Sequence, residues 1–185
     1  GDGVTNFKPG DRVMALVSAG AYAEQVVCEA TTVFHTPDGM DDITAAAFPV
    51  AYGTSHLALV HRANLKAGET VLVLGAGGGV GLTAVECAKA LGATVIAAAS
   101  TAEKLELARA RGADHLINYT EEDLRGALRK ITDGNGVDVV YDPVGGELAQ
   151  TAMRSLAWCG RLLVIGFASG DVPVFPSNYL LVKNI

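Results

Sequence analysis

From Thr70 onward the apolar positions of the chain alternate between two patterns. Short runs without a polar break, VLVL at 71–74, TVIAAA at 94–99, DVVY at 138–141 and LLVIG at 162–166, are separated by longer stretches with helical spacing and charged faces. Apolar runs of that length suit parallel strands covered on both sides. The pattern predicts strands at Thr70–Leu74, Thr94–Ala98, His115–Asn118, Val137–Tyr141 and Arg161–Ile165. Helices are expected between them, at Val80–Leu91, Ala102–Arg111, Glu121–Ile131 and Glu147–Trp158. Gly92, Gly112 and Gly160 stand where a left-handed C-cap would close three of these helices. Strictly alternating strands and helices imply an α/β fold, a doubly wound parallel sheet in the Rossmann arrangement.

Before Thr70 the pattern is different. DRVMALV, AYAEQVVCE and TTVFHTP read as short β-runs separated by the turns KPGD and SAGA, which suits a small sheet or part of a barrel. From Asp41, DDITAAAFPVAYGTSHLALVHRANL is Ala-rich and helix-prone, with Pro49 expected to break it into two helices. The closing LLVKNI reads as the start of a strand, and both ends of the chain read as cut. No repeat is visible beyond the βα unit.

Composition narrows the function classes. Half of the 185 residues are apolar and 18% are charged, a balance that opposes disorder. The formal charge is −6 and no run of Lys and Arg occurs, so neither nucleic acid nor an anionic membrane is the expected partner. Cys28, Cys87 and Cys159 are odd in number and far apart, and read as small buried hydrophobes rather than a disulfide framework. There is no basic-then-apolar leader, and no uninterrupted apolar run approaches a membrane span. The expectation is a cytoplasmic protein, with organellar targeting left open because the N-terminus reads as missing.

The candidate chemistry centres on Ala76-Gly77-Gly78-Gly79-Val80-Gly81, which follows an expected strand and opens an expected helix. Read as A-x-G-x-x-G, it is a dinucleotide-binding turn. Gly78 lets the backbone approach a pyrophosphate at the helix N-terminus, and Gly81 lets the helix lie close to the strand. An NAD-type site carries an acid at the end of the next strand, to accept from the ribose hydroxyls. Here that position reads Ala97-Ala98-Ala99-Ser100-Thr101, with Lys104 in the first turn of the following helix. A hydroxyl and an ammonium suit a 2′-phosphate, so NADP(H) is the expected cofactor.

Together, GDRVMAL, GAYAEQVV, AYGTSHLAL, KAGETVLVLGAGGGVGL, KLELARARGADHLINY, GVDVVYDPVGG and GRLLVIGFASG resemble the quinone oxidoreductase (zeta-crystallin-like) group of the medium-chain dehydrogenase/reductase family, in order and over essentially the whole chain. The resemblance implies a remnant of a GroES-like β-barrel domain at 1–45 and a Rossmann NADP(H)-binding domain at 46–185, truncated before its sixth strand. It also implies the zinc-free branch. GDRVMALVSAGAYAE runs on without the four-Cys lobe of the zinc enzymes, and no Cys lies between Ala45 and His56. His35, His56, His61 and His115 offer no convergent ligand set, so no metal is expected, and His56 and His61 read as surface histidines.

Carried over position by position, the resemblance places Thr54 at the nicotinamide end of the cofactor, with Tyr52 a candidate polariser of the substrate. Gly78, Gly79 and Val80 match the pyrophosphate turn. Ser100, Lys104 and Tyr119 match the group around the 2′-phosphate and adenine. Val144, Gly166, Phe167 and Ala168 match the loops facing the nicotinamide. The implied reaction is hydride transfer from NADPH to a small-molecule electrophile, a quinone or an α,β-unsaturated carbonyl, by a full-length homodimer. The alternatives are a non-catalytic, crystallin-like NADPH binder and an enoyl thioester reductase of the same family. A short-chain dehydrogenase reading through Tyr179-x-x-x-Lys183 is disfavoured by the incomplete glycine motif and the barrel-like first third.

Overall fold

A computed structural model describes every residue of the chain except Asp2. The chain divides into two compact units, Gly1–Gly53 and Thr54–Ile185.

In the first unit, β1 (Val13–Ala15) pairs antiparallel with β2 (Val33–His35), Val13 opposite His35. The expected strand in AYAEQVVCE does not form. Residues 21–29 are irregular and Tyr22 and Val27 are fully exposed, since no neighbouring strand among the described residues offers them a ladder. Helix α1 (Asp42–His56) starts at Asp41, whose carboxylate accepts from the Thr44 N–H at 2.9 Å, and Arg12 braces its first residue through Asp42 at 2.5 Å.

The break expected at Pro49 is also absent: α1 runs through it. A proline removes one ladder bond, and the helix nucleated by Ala45, Ala46 and Ala47 before it propagates past that loss. The boundary between the units falls inside this helix. It continues as a π-helical segment at Leu57–Arg62, in which the Ala63 N–H reaches back five residues to the Ala58 carbonyl. Asp42–Arg62 is thereby 21 residues of continuous helix with mean hydropathy 1.3, although Thr54, Ser55 and His56 break its apolar run. That is long and apolar enough to cross a membrane, a test that core helices of soluble proteins also pass.

The second unit is a parallel sheet of five strands among the described residues: β3 (Thr70–Leu74), β4 (Thr94–Ala99), β5 (His115–Asn118), β6 (Val137–Asp142) and β7 (Leu156–Val164). Their order, β5-β4-β3-β6-β7, reverses direction at β3, as in the Rossmann arrangement. Helices α2 (Gly79–Ala90), α3 (Ala102–Ala110), α4 (Leu124–Ile131) and α5 (Gly146–Arg154) join them. The uninterrupted apolar runs are explained by alternation across the sheet. Val71, Val73, Val95 and Ala97 pack with α2 and α3, whereas Leu72, Leu74, Ile96 and Ala98 pack with α4 and α5.

Four boundaries depart from the sequence pattern. Helix α4 starts at Leu124, not Glu121, because the Asp123 carboxylate caps it by accepting from the Gly126 N–H at 2.7 Å. Helix α5 stops at Arg154, not Trp158, because Leu156 is drawn into the sheet opposite Val137 and β7 begins there. Between Leu156 and Arg161 the strand bulges, so Gly160 is no helix cap. Cys159 takes the left-handed φ of 60° instead and is exposed, not a buried hydrophobe. Cys28 and Cys87 are half-buried. At Gly92 and Gly112 the expected left-handed caps are present, with φ of 84° and 106°. Finally, LLVKNI is not the start of a strand: after Pro176 it belongs to α6 (Ser177–Lys183).

Candidate functional site

The glycine turn leaves β3 and enters α2 at the carboxyl edge of the sheet, beside the point where strand order reverses. Gly78 is the N-cap of α2 and no side chain caps that end, so the first N–H groups of the helix retain their capacity for an anion. The surrounding space shows which glycines serve packing and which serve a ligand. A Cβ on Gly81 would collide with the Gly75 carbonyl, so this glycine sets the close contact of helix and strand. A Cβ on Gly79 would meet nothing within 4 Å. Gly78 and Gly79 are exposed, so the backbone of the turn presents an open cradle.

The corner beside it is formed by the ends of β4 and β5, where Ala99 lies opposite Asn118. That register brings Ser100 and Tyr119 to the same edge. The Thr101 hydroxyl caps α3 by accepting from the Lys104 N–H at 3.3 Å, and the Lys104 ammonium reaches the Ser100 hydroxyl at 3.4 Å. The stem of Lys104 crosses the glycine turn, its Cβ 2.5 Å from where a Cβ on Gly77 would stand. A hydroxyl and an exposed ammonium thus adjoin the cradle with no carboxylate at the strand end.

On the other side of β3, Val144 presses on the turn, with its Cγ2 2.9 Å from where a Cβ on Gly75 would stand. The Ala168 N–H donates to the Pro143 carbonyl at 3.0 Å, and the Gly166 N–H to the Asp142 carbonyl at 3.3 Å. The loop that carries Val144 and the loop that carries Gly166, Phe167 and Ala168 are therefore bonded to each other, with Val144 against the glycine turn. Thr54 opens the second unit and is half-buried, while Tyr52 belongs to the first unit with its ring stacked on Phe48 at 4.6 Å. His56 and His61 are exposed and in edge contact at 5.4 Å. Among the described residues no group of three or more His, Cys, Asp or Glu could hold a metal ion.

Sequence reading missed four buried residues, Ser55, Thr83, Tyr141 and Asp142. The Ser55 hydroxyl, fully buried, lies 3.1 Å from the Val80 carbonyl, 2.8 Å from the Thr83 hydroxyl and 3.0 Å from the Tyr141 hydroxyl. It ties α1 and β6 to the first turn of α2. Burial pushes the Tyr141 phenol above its ordinary range, opposed by its bond to Ser55. Asp142 is also buried, and the desolvation of its carboxyl raises its pKa against two backbone N–H bonds that lower it. The available signal was a polar pair, Tyr-Asp, closing an otherwise apolar strand.

Tyr179 and Lys183 lie elsewhere. A cleft of about 740 Å³ at the amino ends of β6 and β7 is lined by Arg125, Arg129, Arg154, Trp158 and Lys183. There the Lys183 ammonium donates to the Arg154 carbonyl at 2.8 Å and to the Leu156 carbonyl, while Arg154 lies 5.3 Å over the Tyr179 ring. Lys183 closes the end of α5, and its pKa is lowered by desolvation and by Arg125. The Tyr-Lys pair is at the edge of the sheet opposite the glycine turn.

Known proteins share this architecture. The chain is 44% identical to mouse (Mus musculus) quinone oxidoreductase-like protein 2 over 186 residues, all of this chain and 53% of that protein. It is 42% identical over 173 residues to a quinone oxidoreductase of Pseudomonas aeruginosa, covering 93% of this chain and 53% of that one. The crystal structure of Escherichia coli quinone oxidoreductase complexed with NADPH superimposes with a TM-score of 0.91 at 38% identity, over 99% of this chain and 56% of that chain. The chain thus spans about half the length of the curated relatives it matches. The family model described as zinc-binding dehydrogenase covers residues 79–185, and with these likenesses the chain belongs to that family, the medium-chain dehydrogenases and reductases, among its quinone oxidoreductase-like members.

Proposed function

We propose that the protein is an NADPH-dependent, zinc-independent oxidoreductase that reduces a quinone or an α,β-unsaturated carbonyl. The observation that carries this reading is the corner where the Lys104 stem crosses Gly77 and its ammonium meets Ser100, with no acid at the end of β4. An acid there would repel a 2′-phosphate; a hydroxyl and an ammonium hold it by charge-assisted hydrogen bonds. The NADPH-bound relative supports the same cofactor.

When bound, NADPH supplies a hydride, which with one proton converts a quinone to a hydroquinone or saturates an activated C=C bond. Gly78, Gly79 and Val80 hold the pyrophosphate through the start of α2. Tyr119 borders the adenine, and Val144, Gly166, Phe167 and Ala168 form the floor under the nicotinamide. Thr54 contacts that end of the cofactor and Tyr52 polarises the acceptor. The working assembly is a homodimer of the whole protein, and its partner is a small-molecule electrophile.

The test is calorimetric titration of the whole protein with NADPH and NADH, alongside an assay of quinone-dependent NADPH oxidation. Tighter binding of NADPH, abolished as a preference by Lys104→Ala, is expected, together with turnover that survives a chelator. NADH binding as tightly as NADPH overturns the cofactor assignment. NADPH binding without turnover on quinones or enones leaves a binding protein rather than an enzyme.

A further inference from the structure

Asp142 closes β6 with its side chain fully buried. Only half of the carboxylate is used. Oδ1 accepts from the N–H groups of Val144 at 2.8 Å and Gly145 at 2.9 Å, whereas Oδ2 is buried with no partner among the described residues. The main-chain carbonyl of the same residue accepts from the N–H groups of Ile165 at 2.8 Å and Gly166 at 3.3 Å. One residue therefore holds the loop after β6 by its side chain and the loop after β7 by its backbone.

The two loops are also bonded to each other. The Ser169 N–H donates to the Val144 carbonyl at 2.9 Å, and the Gly146 N–H to the Asp171 carbonyl at 3.0 Å. Gly145, at φ 76°, fits only because it lacks a Cβ, which would stand 2.7 Å from the Asp171 carbonyl. Burying a carboxyl with one idle oxygen costs stability, and burial raises its pKa accordingly. Such a cost at the ligand-binding edge of an open α/β sheet points to function.

We propose that Asp142 is a positioning residue that locks the loops after β6 and β7 into one rigid floor for the nicotinamide half of the cofactor. The working atom is Oδ1. It fixes Val144 against the glycine turn at Gly75, so the cradle and the floor keep one relative geometry. This role rests on the NADPH reading above.

Hydrogen exchange on the cofactor-free whole protein, combined with NADPH calorimetry and steady-state kinetics, tests it. Asp142→Ala, and Asp142→Leu, which is branched like the carboxylate though larger and has no acceptor, should speed exchange of the amides at 144–146 and 166–169 at least tenfold. Exchange in β3 and β4 should not change. NADPH affinity should fall roughly five- to tenfold, with a matching rise in its KM and the NADPH-to-NADH preference intact. Asp142→Asn keeps an acceptor and should restore both loops and affinity. Loops and affinity unchanged in the Ala and Leu variants, or protection lost uniformly across the sheet, overturn the proposal. Should neither variant accumulate, the wild-type protein still decides: Val144 and Gly145 amides that exchange as fast as exposed ones overturn it. Absence of NADPH binding by the wild-type protein sinks the cofactor reading and this role with it; binding that ignores Asp142 sinks this role alone.

Discussion

The hydroxyl of Tyr141, at the end of β6, lies 3.0 Å from the hydroxyl of Ser55, near the end of α1, with both residues fully buried. Ser55 is the hub of the group, since it also reaches Thr83 and the Val80 carbonyl. Removing the hub therefore costs more than removing the spoke. Tyr141→Phe leaves Ser55 its other partners and should cost about 1 kcal/mol, whereas Ser55→Ala strands the buried phenol and should cost about 1–3 kcal/mol. Denaturant melts of both variants check the order, and Tyr141→Phe as the worse of the two would refute it.

Lys104 and Gly77 form the second test. Lys104→Ala removes the cation beside Ser100 and should weaken NADPH binding by about 1.5–3 kcal/mol, roughly ten- to a hundredfold, while NADH binding stays within about twofold. Calorimetry with both cofactors reads this directly. An equal loss for NADH would mean that the ammonium does not face a 2′-phosphate.

Gly79 and Gly81 should separate binding from stability. Gly81→Ala forces α2 off the Gly75 carbonyl and should destabilise the fold by about 1–3 kcal/mol. Gly79→Ala meets no neighbouring atom and suits the first turn of a helix, so the melting temperature should hold or rise slightly. Its new methyl stands in the open cradle, and cofactor affinity should fall tenfold or more. A Gly79→Ala protein that binds normally would place the pyrophosphate elsewhere.

Two carboxyls give opposite pH dependence. The Arg161 guanidinium holds Glu69 by two hydrogen bonds, at 2.8 and 2.6 Å, and keeps its pKa below the ordinary value of 4.5. The unfolded chain binds the proton first, so this stabilisation is present above pH 4.5 and is lost as pH falls through the folded pKa. Glu69→Gln should cost about 1–2 kcal/mol at pH 7 and progressively less as pH falls below 4.5. Asp142 is the reverse: burial raises its folded pKa above 3.8, so the native state keeps the proton longer. Its ionisation lowers stability as pH rises from 3.8 to the folded pKa, and Asp142→Asn should gain on the wild type over that window. Urea melts across pH 3–8 for both variants test the two signs.

The strand and helix order of the second unit, the glycine turn and the acid-free corner at Ser100 and Lys104 were legible in the chain because each is local. An apolar run of five residues reports a strand buried on both faces, and a glycine cluster after it reports a turn that must come close to something. The departures arose where local preference met a competitor from farther along the chain. Residues 156–158 look helical after α5, yet Leu156 gains a sheet partner in Val137, and the excess chain is absorbed in the bulge that exposes Cys159. LLVKNI looks like a strand, yet it forms α6, whose Lys183 closes the end of α5. At Pro49 the balance lies the other way: one lost ladder bond does not stop a helix already formed over Ala45, Ala46 and Ala47.

The sequence by itself determined the α/β order, the burial of the strands on both faces and the place of the glycine turn, because periodicity and glycine placement are set by neighbouring residues. Only the tertiary structure decided which polar groups meet. Ser55 finds Thr83 and Tyr141 across 28 and 86 positions, and Asp142 bonds one loop by its side chain and another by its backbone. A hydrogen bond depends on ångström-scale placement of two groups, and no periodicity in the chain carries that distance; the packing of α1, α2 and the sheet does.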